Sequence, residues 1–203
     1  MKLTYRDVPG TALRPAVVLH DRGAASVDRV TAVAQASGAV GRVVAPFGDY
    51  GFTAGGMELA GICWYRTVPG YAGADPLSLA RAVVQVGDLL DALALDDPAL
   101  IGWGQGAVVA LGAGLLHPDR VASVVGVDAR TAHVEALPVG VLSEPAAPPV
   151  LLIGSGADRG SDDSEARLRA HGVTVTGWRW PGGSEEDRDK AIAEQIGRWL
   201  GDG

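Results

Sequence analysis

The sequence predicts a doubly wound α/β domain, with a mostly parallel sheet covered by helices on both faces. Three observations lead there. Short apolar runs rich in β-branched residues alternate with longer segments of helical periodicity. The runs lack polar alternation, which is the mark of strands buried on both faces. The 203 residues, 47% hydrophobic and 20% charged, contain no linker and no internal repeat, so one domain over 1–203 is expected.

Taken in order, Ala16-Val17-Val18-Leu19 follows the breaker Arg14-Pro15 and reads as the first strand. Ser26 is placed to cap a helix over about Val27–Ala36. Arg42-Val43-Val44-Ala45 is a second strand, stopped by Pro46, and a Gly-rich loop with Tyr50, Phe52, Trp64, Tyr65 and Tyr71 follows. Asp75-Pro76 matches an N-cap with proline at the first helical position. That helix runs to about Leu95, with Leu79, Val83, Val86, Leu90 and Leu93 along one stripe. Ala99–Ile101 is a third strand and a small-residue helix follows it to about Leu116. Ala122–Val127 is a fourth strand, and the proline-rich stretch from Asp128 to Pro149 is irregular. Val150–Ile153 is the fifth strand. A polar helix over about Asp162–His171 precedes an alternating, edge-like strand over Val173–Trp178, and a last helix spans about Glu186–Leu200.

Composition excludes several classes of function. A net charge of −7 argues against nucleic acid or an anionic membrane surface as a partner. No apolar stretch approaches the ~20 residues that span a bilayer. The polar start, Met1 to Asp7, carries no secretory pattern, and Cys63 is the sole cysteine, so no internal disulfide forms. A cytoplasmic protein is the economical expectation. No His or Cys pair has metal-ligand spacing and no Gly-rich phosphate loop stands in its proper context, so neither metal nor cofactor is expected.

Ligands of such sheets bind at the carboxyl ends of the strands. The polar clusters there are His20-Asp21-Arg22-Gly23, Gly102-Trp103-Gly104-Gln105-Gly106, Asp128, Asp158 and the segment after Trp178. The second cluster joins an apolar run to a helical one, as a nucleophile elbow G-x-S-x-G does. Its third place is Gly104, which offers no side chain to attack with.

These segments together resemble the α/β-hydrolase fold, and within it the small carboxylesterase/lysophospholipase family. Val17-Val18-Leu19-His20 with Gly23 is similar to the family's strand ending in Leu-His-Gly, which supplies part of the oxyanion hole. Gly102–Ala107 resembles Gly-Phe-Ser-Gln-Gly-Ala, and Cys63-Trp64-Tyr65 the aromatic pair of the substrate-side loop. Val150–Asp158 resembles the strand and turn presenting the triad aspartate. Trp178–Ser184 resembles the segment presenting the triad histidine.

The resemblance implies a Ser–His–Asp triad, and two members are replaced: Gly104 stands at the serine position and Ser184 at the histidine position. Asp158 alone survives. The histidines are His20, His117, His133 and His171, and only His171 follows Asp158, at a helix end before the last strand. A conventional serine hydrolase is therefore not expected, since the nucleophile and base act as a unit.

What survives is backbone. The N–H of Gln105, at a helix start, and that of Arg22 would form the oxyanion hole, and Gly104 would leave the room of a hydroxymethyl group beside it. The expected binding residues are Arg22, Gln105, His20, Asp21, Trp64, Tyr65 and Trp103. Each has a structural alternative: a buried His20 bonding loop backbone, an Asp21–Arg22 surface pair, aromatics in the core, Asp158 bracing its turn. Cys63 reads as a buried small hydrophobe and His133 as an exposed loop residue. The leading function is a non-hydrolytic binding or accessory protein for a small carbonyl, carboxylate or apolar ligand. A non-hydrolytic isomerase, cyclase or lyase reusing the oxyanion pocket is the alternative, and a residual carboxylesterase-like hydrolase using Cys63 or Ser184 is the second alternative. A homodimer surface at Trp178 and Trp180 and a packed C-terminal segment are both left open.

Overall fold

The apolar runs assemble side by side into one sheet, because each has no polar face to offer solvent. The computed structural model describes residues 3–10, 14–54, 58–67, 73–137, 147–156 and 160–201. In chain order the strands of this sheet are β1 (Tyr5–Val8), β2 (Arg14–Leu19), β3 (Val40–Pro46), then β6 (Ala99–Trp103), β7 (Ser123–Val127), β8 (Val150–Gly154) and β9 (Val175–Arg179). A separate antiparallel hairpin joins β4 (Tyr50–Ala54) and β5 (Glu58–Cys63). The order across the large sheet is β1-β3-β2-β6-β7-β8-β9, with β1 antiparallel and every other pairing parallel.

Among the described residues there are six helices: α1 (Asp28–Ala36), α2 (Pro76–Leu93), α3 (Gln105–Leu116), α4 (Thr131–Val134), α5 (Gly160–Ala170) and α6 (Glu185–Gly201). Alternation along β2 shows how they divide between the faces. Val17 and Leu19 point into the core shared with α2 and α3, whereas Ala16 and Val18 point into the core shared with α1 and α6. Each buried Val or Leu contributes about 1.5–3 kcal/mol, so the two cores together hold the strands in register. α3 is buried along nearly its whole length, which explains why its sequence is apolar all round instead of amphipathic.

Several expectations shift. The hairpin β4–β5 lies within the segment read as loop, because its glycines break the alternation that would announce a strand. β1 is too short and too polar, with two exposed central residues, to stand out. α4 interrupts the stretch read as irregular. Asp75 does cap α2, its carboxylate accepting from Ser78 N at 2.9 Å. α1 begins at Asp28 after a Val27 N-cap with no side-chain bond, although Ser26 Oγ accepts from Asp28 N at 3.2 Å. Tyr71 lies outside the described residues.

Candidate functional site

Parallel pairing of β2 with β6 sets Leu19 opposite Gly102, so the chain leaving β2 at His20-Asp21 runs beside the chain leaving β6 at Trp103-Gly104. The turn there has the geometry of an elbow. Gly104 has φ 49° and ψ −109°, its N–H donates to Val127 O at 2.8 Å, and α3 begins at the next residue. A residue with a side chain is strained in this conformation. The flanking glycines answer to close packing: a Cβ on Gly102 would lie 2.2 Å from Gly106 O, and one on Gly106 2.4 Å from Leu19 O.

The expected room beside Gly104 is filled. An ideal Cβ on Gly104 would lie 1.8 Å from Asp21 Oδ1 and 2.3 Å from its Cγ. The same Oδ1 accepts from Arg22 N at 2.6 Å and from Gln105 N at 3.0 Å. The two amides expected to form the oxyanion hole thus converge on one oxygen, and that oxygen is the protein's own carboxylate. This corrects the expectation of a vacant floor. The physical reason is local: β2–β6 pairing brings residue 21 against the elbow, and a missing Cβ gives its carboxylate space. Charge-assisted bonds to two N–H groups, that of Gln105 at the start of α3, favour the placement. Asp21 itself is exposed to solvent.

Behind the turn, Gln105 locks the aromatic loop. Its Oε1 accepts from Trp64 N at 3.1 Å and its Nε2 donates to Tyr65 O at 3.0 Å. Both rings are inside, Trp64 and Tyr65 each being 1% exposed, while Trp103 is partly buried on the opposite face of the sheet. His20 is fully buried and stacks on Trp64 with ring centroids 4.9 Å apart. Gly48 N donates to His20 Nε2 at 3.0 Å, so the ring proton sits on Nδ1 and donates to Asp21 O at 2.7 Å. Burial pushes the His20 pKa down, partly offset by Asp21. With both ring nitrogens engaged, His20 fixes the loop that carries Asp21.

His133 is buried, not exposed, and its Nδ1 lies 2.8 Å from the Tyr65 hydroxyl. α4 carries it inward, a placement hidden by the prolines around it in sequence. Burial also drives the Tyr65 phenol well above its ordinary pKa. Cys63 is buried, and desolvation pushes its thiol up, away from the thiolate a nucleophile needs.

The position resembling the triad histidine has a structural task. Ser184 Oγ donates to Asp187 Oδ2 at 2.6 Å, while Asp187 N reaches Ser184 Oγ and Ser184 N reaches Asp187 Oδ2, both at 3.2 Å. This is a reciprocal cap at the start of α6. Asp158 lies outside the described residues. His117 closes the far end of α3, a helix of 12 residues, placing it about 18 Å from the elbow along the axis. His171 precedes β9, at the amino end of the sheet. The Asp128 carboxylate, just past the carboxyl end of β7, ties β7 to β8 by accepting from Ser155 N at 2.7 Å and from Ser155 Oγ. The positive φ of 54° at Asp128 is the turn that aims it. Among the described residues no three His, Cys, Asp or Glu side chains converge as a metal site.

This fold and this turn define an α/β-hydrolase fold, and solved structures agree. A carboxylesterase from Mesorhizobium loti superposes with a TM-score of 0.76 at 20% identity, over 97% of this chain and 93% of that one. The acyl-protein thioesterase 2 of Zea mays matches with a TM-score of 0.69 at 17% identity, over 98% of both chains. YahD, solved with malic acid, matches with a TM-score of 0.70 at 17% identity, again over 98% of both. No family model matches the sequence, and no curated protein matches it. The likeness is therefore one of fold, shared with carboxylesterases and thioesterases. No helix among the described residues is long and apolar enough to cross a membrane.

Proposed function

We propose that this chain is a non-hydrolytic α/β-hydrolase-fold protein, a binding or accessory protein for a small carbonyl- or carboxylate-bearing molecule. One observation carries the reading. At an elbow of intact backbone geometry, Gly104 presents no nucleophile, and the amide pair that would stabilise an oxyanion holds a carboxylate instead. Acyl transfer needs a nucleophile with a base in hydrogen-bond reach of it. His20 and His133 are buried in packing roles, and Ser184 is held in a helix cap. What the pair retains is affinity for an oxygen bearing negative charge, from two N–H groups and the positive end of α3. That YahD was solved with malic acid, a dicarboxylic acid, fits this ligand class.

The non-hydrolytic enzyme remains the second reading, and Asp21 is the observation that favours it. It is the titratable side chain at the amide pair, and therefore the proton carrier such an enzyme would use.

The test is turnover of short p-nitrophenyl esters. The expected result is the no-protein background for the wild-type chain and for Cys63→Ala and Ser184→Ala alike. Wild-type turnover that disappears in either variant would overturn the reading in favour of a residual hydrolase.

A further inference from the structure

We infer that Asp21 is a tethered plug of the carbonyl site, and that it sets how strongly and how selectively the site takes an external ligand. The inference rests on the proposed reading of the amide pair as the anchoring point. Asp21 Oδ1 engages both amides at once, at 2.6 and 3.0 Å, and its carboxylate stands where a side chain on residue 104 would begin. An external carbonyl or carboxylate oxygen cannot occupy that point while Asp21 does. Asp21 is exposed, so swinging its carboxylate into water opens the pair without disturbing the core.

Three consequences follow from this exclusion. Affinity is reduced by the fraction of time the plug is seated. Anionic ligands are disfavoured further, because the displaced Asp21 carboxylate stays beside the site and repels a like charge. Residue 104 and residue 21 are also alternatives: a side chain at 104 ejects the carboxylate, so glycine at 104 and aspartate at 21 form one coupled pair. The buried His20 holds the backbone of this loop through Asp21 O, which keeps the plug's anchor fixed while its side chain moves.

The experiment is a titration of ¹⁵N-labelled protein with sodium acetate, and separately with acetamide, against matched sodium chloride, following the Gln105 and Arg22 amide resonances. The full chain is compared with Asp21→Ala and Asp21→Asn. Asp21→Ala is expected to bind acetate about tenfold more tightly than the wild type, the factor for a site open roughly a tenth of the time. Acetamide is expected to gain less than acetate. Asp21→Asn, which keeps the shape of the plug without its charge, is expected to fall between the two proteins. Equal acetate midpoints in wild type and both variants would overturn the plug, as would amides that fail to move in either variant while the resonances of β6 and α3 report an intact fold. Ester turnover by the wild-type chain would instead defeat the non-hydrolytic reading alone, so the two failures are distinguishable.

Discussion

At the scale of single residues, the site turns on two residues that make sense only together. Gly104 alone reads as a lost serine, and Asp21 alone as a surface charge. Placed side by side, the missing Cβ of one is the space occupied by the carboxylate of the other. Gly104→Ala should therefore lower stability by about 1–3 kcal/mol, the range for a strained backbone, and also break the Asp21 bonds. Urea unfolding checks the first part. The downfield positions of the Gln105 and Arg22 amide protons, expected to be lost in the variant, check the second. Gly104→Ala with both amides unmoved would contradict the steric account. Removing the Tyr65 hydroxyl that meets His133 Nδ1, as Tyr65→Phe, should cost about 1–3 kcal/mol, since a buried polar group then loses its partner's oxygen. A midpoint unchanged in urea would show that this contact contributes nothing.

At the scale of elements, the elbow depends on how closely α3 approaches β2 and β6. Gly106→Ala would set a methyl group 2.4 Å from Leu19 O, and backbone on both sides leaves it nowhere to move. We expect a loss of about 1–3 kcal/mol, read from thermal and urea unfolding. The start of α6 gives a matching case: Ser184→Ala should cost about 1 kcal/mol through its cap while leaving any catalytic readout untouched. The elements most legible in the sequence were those whose pattern is set by burial, namely β2, β3, β6, β7, β8 and α2. The short, polar edge β1 and the glycine-broken hairpin β4–β5 were not, because their pairing partners, and not their own composition, make them strands. The inward course of α4, and with it the burial of His133, was hidden by the prolines around it in sequence. The elbow was readable from local spacing, and both amide donors from the resemblance to the esterase family. The position of Asp21 was not, since it depends on a register between β2 and β6 that joins residues more than eighty positions apart.

At the scale of the whole molecule, the sheet carries two cores, and His20 is buried at the end of the strand between them. Its folded pKa lies below 6.5, so the unfolded chain binds the extra proton first as pH falls. The contribution of neutral His20 is complete above about pH 6.5 and is lost as pH drops through the folded value. The urea midpoint should thus fall between pH 7.5 and pH 5 in the wild type, and fall less steeply in His20→Gln. Parallel slopes would mean that His20 is not the group responsible. The same buried histidine serves the fold and the site together, because the loop it anchors is the one that delivers Asp21 to the amide pair.

The claim that organises these observations is that the hydrolase turn survives without hydrolase chemistry. A fluorophosphonate that phosphonylates activated serines tests it most directly, with the intact protein weighed afterwards. The account predicts an unchanged mass, with Ser184 and every other serine unlabelled. A single stoichiometric adduct on one serine, accompanied by ester turnover that the reagent abolishes, would contradict it.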